Sequence, residues 1–281
     1  MKFAFSTDCC PDWDFPTIAG KAREHGYDGV EISGMANAAD MPARLKLEDP
    51  AGNLEVLGAL KSASIDIACI AAPVRLTGDR RADVGGAAEL RRWIDLSAEL
   101  ACSRVMLRDP EPRRGMSGLA AGMALGEWLA PIADHALARE ITLLVCNDAT
   151  LAAPRLMWAM LERLRHPAVA CCWDLDNGVR AGESPALAVP TLNSQIRYAR
   201  VGDAVPATAP NPREPRSGCD VQLFLTRLRG IGYDGYVTAA GRATVPDEYL
   251  SGMALMLKKW GAPATSVPVA RRKQETRPKA G

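Results

Sequence analysis

The segment AVACCWDLDNGVRAGESP, residues 168–185, ends an apolar run in a loop rich in carboxylates, with Asp174 at the junction. A carboxylate so placed has three chemical uses: ligand to a metal ion, base toward a substrate proton, or acceptor for a cationic side chain. Comparable junctions recur along the chain. Glu31 closes GVEI, Arg108 closes RVMLR, Cys146 and Asp148 close LLVCND, Arg200 and Asp203 close RYARVGD, and Arg242 follows VTAAG. Asn177 stands three residues beyond Asp174. Glu31, Asp148 and Asp174 are the candidates for proton transfer. Arg200 stays protonated at any working pH, so it can hold an anion or a developing enolate but cannot accept a proton. Arg108, Cys146, Asn177, Asp203 and Arg242 are the candidates for holding a substrate. A cysteine inside an apolar run such as that of Cys146 more often packs than reacts.

These residues share a position: each lies at or just after the end of a strand-like run. The runs span 2–7, 29–33, 65–71, 103–107, 141–146, 169–173, 196–201 and 235–238, and between them stand helical patterns such as EVLGALKSAS, ELRRWIDLSAELA and VQLFLTRLRGIG. Eight strand-helix repeats over this length predict a single (β/α)8 barrel, an α/β fold whose chemistry sits at the C-terminal ends of its strands. After the first run stands STDCCPDWD, with no glycine-rich phosphate fingerprint, so a dinucleotide-binding domain is not expected. The barrel is expected to occupy residues 1–261. Residues 262–281, rich in Pro, Ala and basic side chains and without periodicity, read as a flexible tail. Ser184 and Pro185 read as the cap and first turn of a helix.

Composition narrows the partners. A formal charge of +1 gives no field for a polyanion, so neither nucleic acid nor an anionic membrane is an expected partner, and a small-molecule substrate is. Eight cysteines without a CxxC pair suggest a reduced, cytoplasmic protein. The N-terminus turns polar after five residues, unlike a secretory signal, and no apolar run approaches the roughly 20 residues of a membrane span.

The segments FSTDCCPDWDFPTI, AREHGYDGVEI, WDLDNGVRAGESP, IRYARVGD and GCDVQLFLTRLRGIGYDGYV, in this order, resemble the xylose isomerase-like family of sugar phosphate isomerases and epimerases as far as about Trp260. The resemblance implies a TIM barrel with one divalent cation, held by a Glu ending strand five, an Asp ending strand six, a His ending strand seven and a Glu ending strand eight. Here those places hold Cys146, Asp174, Arg200 and Ala240. Asp148 stands where a His commonly follows the strand-five Glu-Asn, and Asp176 and Asn177 stand where a polar pair follows the strand-six Asp. One carboxylate does not hold Mn²⁺ or Mg²⁺, and an arginine beside it repels the ion. The expectation is therefore no metal and no cofactor. Neighbouring strands lie about 4.8 Å apart, so Arg200 is within reach of Asp174 and supplies positive charge in the cation's place.

The expected activity is that of a metal-independent isomerase, epimerase or lyase acting on a small polyol, keto-sugar or related acid. The alternative is a non-catalytic barrel, kept as a ligand-binding module or as the partner subunit of an active enzyme. A homo-oligomer is compatible with either. Abasic-site endonucleases share the barrel but need a His-rich cluster of three metals and a basic surface, whereas His25 and His135 fall in helical patterns and His166 precedes strand six.

Overall fold

The computed structural model describes residues 1–33, 50–74, 84–108, 116–202, 220–241 and 243–261, and for Pro50, Val84 and Arg108 the backbone alone. Asp203, Arg242 and the tail 262–281 lie outside the described residues, as does the side chain of Arg108. Eight strands close into one parallel barrel in sequence order. They are β1 (Lys2–Ser6), β2 (Gly29–Ile32), β3 (Asp66–Ala71), β4 (Arg104–Arg108), β5 (Thr142–Cys146), β6 (Val169–Asp174), β7 (Ile196–Val201) and β8 (Tyr236–Ala239). The ring is completed by parallel pairing of β8 with β1. Each strand expected from the sequence is present, with its bounds shifted by a residue at most.

Strands buried on both faces read as nearly continuous apolar runs, and two packing layers result. Phe5, Val30, Ile32, Val105 and Leu143 face outward against the helices. Ala4, Cys69, Met106, Leu144, Cys172 and Tyr198 fill the barrel interior. Alternation along each strand allots its residues to the two layers, and twice the count is adjusted by a register shift. Between β2 and β3, Val30 pairs with Ile67 but Glu31 pairs with Cys69. Between β6 and β7, Cys171 pairs with Ile196 but Cys172 pairs with Tyr198. In each case one residue, Ala68 or Arg197, is skipped, as in a bulge that re-aims the side chains beyond it.

The helices start where their caps dictate. Asp14 accepts from the Thr17 N–H at 2.9 Å ahead of the helix Phe15–His25, which ends at Gly26 in the left-handed conformation (φ 67°). Ser184 caps Pro185–Leu192 as expected, accepting from the Ala186 N–H at 3.2 Å. Among the described residues no helix is long and apolar enough to cross a membrane. Seven described cysteines are free thiols, all of them buried.

Candidate functional site

At the C-terminal mouth of the barrel, Asp174 is the last residue of β6 and also the N-cap of the helix Leu175–Arg180. Its Oδ1 accepts from the Asp176 and Asn177 N–H groups at 3.0 and 3.2 Å. Its backbone is fixed by Asn147, the residue after β5: Asn147 Nδ2 donates to the Asp174 carbonyl at 3.0 Å, and the Asp174 N–H donates to Asn147 Oδ1 at 2.5 Å. Asn147 is fully buried, and this pair of hydrogen bonds across β5 and β6 leaves Asp174 little freedom.

The remaining oxygen of Asp174 faces the barrel axis. Arg200 pairs with Asp174 in the β6–β7 ladder, and its Nη1 donates to Asp174 Oδ2 at 3.0 Å. The other arm of the guanidinium reaches β2, beyond β8 and β1, where Nη2 donates to Glu31 Oε1 at 3.1 Å. The Arg200, Glu31 and Asp174 side chains are 3%, 0% and 8% exposed, so the ion triad is closed to bulk water. Burial would pull the guanidinium pKa down, but Glu31 and Asp174 outweigh it and hold Arg200 charged, above its ordinary range. Among the described residues two polar atoms of the triad have no hydrogen-bond partner, Glu31 Oε2 and Arg200 Nε. Buried polar atoms are nearly always bonded, so such a pair marks a place where a donor and an acceptor are wanted.

The other sequence candidates fall on either side of this centre. Cys146 is fully buried in the interior layer and pairs with Cys172; its Sγ accepts weakly from Asn177 Nδ2 at 3.9 Å. Burial, reinforced by Cys146, pushes the Cys172 thiol well up. Asn177 also accepts from Arg180. Asp148 caps the short helix Ala149–Ala152 through the Ala149 N–H at 3.0 Å. The backbone of Arg108 pairs with that of Cys146. The three histidines lie apart, bonded to Asp247, Asp95 and Asp134 at 2.9, 3.0 and 3.2 Å.

Three features carry roles that the sequence alone did not assign. Asn147 carries the positioning of Asp174; its signal was the middle place of the Cys-Asn-Asp run. Asp176 accepts from the Gly202 N–H, and a Cβ on Gly202 would come within 2.7 Å of Asp176 Oδ2, so the Gly of RYARVGD serves this approach. Thr7, Asp8 and Ser33 tie the ends of β1 and β2: Thr7 Oγ1 accepts from the Ser33 N–H at 2.8 Å and Ser33 Oγ donates to Asp8 at 2.8 Å.

Among the described residues the donor set at the mouth does not fit a divalent cation. Both oxygens of Asp174 are engaged, the guanidinium of Arg200 fills the place between the carboxylates, and Ala240 offers only its backbone. Among the described residues the grouping that could hold a metal is Glu24, His25 and Asp247, on the outer helices. There the Lys21 ammonium already binds Glu24 at 2.9 Å and Asp247 at 2.8 Å.

Residues 19–259 match the model of the xylose isomerase-like TIM barrel family, and the chain belongs to that family. The fold is shared with a D-psicose 3-epimerase from Clostridium cellulolyticum H10 solved with D-tagatose (TM-score 0.74, 12% identity, 92% of this chain and 99% of that one). It is shared equally with a 3-keto-D-glucoside 4-epimerase from E. coli (0.71, 16%, 91% and 98%) and with the IOLI protein carrying a zinc atom (0.74, 13%, 93% and 98%). No curated protein matches the sequence.

Proposed function

We propose that this barrel is a metal-independent isomerase, epimerase or lyase acting on a small polyol, keto-sugar or related acid. The observation that carries the reading is the buried guanidinium of Arg200 between two carboxylates at the strand ends, where barrel enzymes do chemistry. The likeness to sugar epimerases supports the choice of substrate class. In this reading a carboxylate of the mouth takes a proton from the carbon beside a carbonyl, the bonding pair moves onto the carbonyl oxygen, and Arg200 Nε donates a hydrogen bond to the resulting enolate. Return of a proton to the other face of the same carbon completes an epimerisation; return to the former carbonyl carbon, with the proton of the neighbouring hydroxyl passing to the enolate oxygen, completes an isomerisation. Asp174, held by Asn147, aims the guanidinium and offsets its charge.

The test is turnover on keto-sugars, sugar acids and their phosphates, each with and without EDTA, together with elemental analysis of the purified protein. The expected result is turnover that survives chelation in a protein without stoichiometric metal. About one equivalent of metal, lost with activity on chelation, would overturn the metal-free reading. Ligand binding with no turnover across the panel would turn the assignment toward a binding module.

A further inference from the structure

We infer that the group this mouth accepts at Glu31 is an ammonium carried by a small polyol, and that phosphate and carboxylate are refused there. The inference rests on the proposed use of the same site and names its ligand class. Among the described residues the buried charged side chains are Glu31, Asp174, Asp176 and Arg200: three carboxylates against one guanidinium, all at one end of the barrel. The acids are unequally compensated. Asp174 has two backbone N–H groups and Arg200. Asp176 has the Gly202 N–H and further interactions. Among the described residues Glu31 has one hydrogen bond, on Oε1, while Oε2 is sealed from water and unpartnered.

A buried charge in that condition calls for a donor, and one bearing positive charge is favoured over a neutral hydroxyl. Each terminal nitrogen of Arg200 already donates to a carboxylate, so the guanidinium nitrogen left without a partner is Nε, and an incoming anion would meet like charge on either side of it. The ladder partners of Glu31 are Ser6 and Cys69, both small. Selection by charge is thus built from residues below the rim.

Calorimetric titration of the full chain with three probes differing only at carbon one of a ketohexose tests this: D-fructose, 1-amino-1-deoxy-D-fructose and D-fructose 1-phosphate. The amine is expected to bind about tenfold tighter than the alcohol, and the phosphate about tenfold weaker. Glu31→Gln, which keeps the shape and removes the charge, should bring amine and alcohol to within about threefold. If that variant does not fold, N-acetylation of the amine probe replaces it, because it removes the ligand's charge instead and should abolish the gain. Phosphate binding as tightly as the amine, no binding of any probe, or an amine preference that survives Glu31→Gln would each overturn the inference. The proposed activity fails separately: amine preference without turnover sinks only the enzyme reading, and turnover of phosphate esters sinks only the charge selection.

Discussion

At the N-terminal end of the barrel Lys2 and Asp66 form an ion pair at 3.0 Å with side chains 55% and 56% exposed, whereas the Arg200 triad at the C-terminal end is buried throughout. Tyr236 donates to the same Asp66 oxygen at 2.5 Å, and Lys2 and Arg104 each lie 5.4 Å from the centre of its ring. A cleft of about 1070 Å³ opens beside this group and keeps it wet. Both ends place cations beside carboxylates on strands of one sheet. Water screens one set and leaves each member replaceable; the other set is held together by its own geometry, with two atoms unsatisfied. The lesson is that exposure, more than the count of ion pairs, separates architecture from a site that asks for a ligand.

The largest expected effect comes from breaking the buried end. Arg200→Ala strands Glu31 and Asp174 and should cost about 3–5 kcal/mol in denaturant unfolding, against less than about 1 kcal/mol for Lys2→Ala. Equal costs would erase the contrast. If the altered protein stays folded, affinity for an enolisable keto-sugar without an amino group should fall by about tenfold, the worth of one hydrogen bond to a charged group; unchanged binding in a destabilised protein would make the triad structural.

The two limbs of a pH titration sharpen the same contrast. Burial raises the Cys102 thiol to about 11 from 9.0, and it raises Cys9, Cys69, Cys171 and Cys172 as well. A group whose folded pKa is raised contributes fully below its unfolded value and loses that contribution as pH climbs toward the folded one. Melting temperature should therefore fall above about pH 9, with Cys102 alone accounting for about 3 kcal/mol by pH 11. Asp66 has the opposite sign: its hydrogen bond from Tyr236, and then Lys2, lower its pKa, so its contribution is present above the ordinary carboxylate value and is lost as pH falls through the lowered one. Its exposure keeps its share of the acid limb small, and Asp66→Asn should remove that share.

Between these lies Asn147→Ala, which removes both bonds to the Asp174 backbone and should cost about 1–3 kcal/mol. In proteins that remain folded its effect on ligand binding should resemble that of a weakened Arg200–Asp174 pair. A stability loss with unchanged binding would mean that Asp174 holds its place without help.

Much of the fold could be read from the chain because strands buried on both faces announce themselves as apolar runs, and the runs at 169–173 and 196–201 brought Asp174 and Arg200 side by side. That Glu31 joins them could not be read. Its approach depends on barrel closure and on a skipped residue in β3, and neither leaves a mark in composition or periodicity. Asn147 was visible as a strand-end residue, but its task depends on how closely the backbones of β5 and β6 run beyond the ladder. Cys146 and Asp148 kept their places and serve packing and capping there, since residue type fixes what a side chain can do and not which neighbour it meets.

The skipped residue in β7 has a consequence at the level of the gene. Ile196 pairs outward with Cys171 and Tyr198 inward with Cys172, so Arg197, exposed to solvent, is the joint at which the strand changes phase. Loss of the Arg197 codon would take out the residue that β6 does not pair and leave Arg200 in its present ladder position. Loss of the neighbouring Ala199 codon would reverse the alternation and turn Arg200 out of the barrel, with no substitution at any residue of the triad. In a lineage that tolerates single-codon deletions, the charge of this mouth can be switched from two positions away.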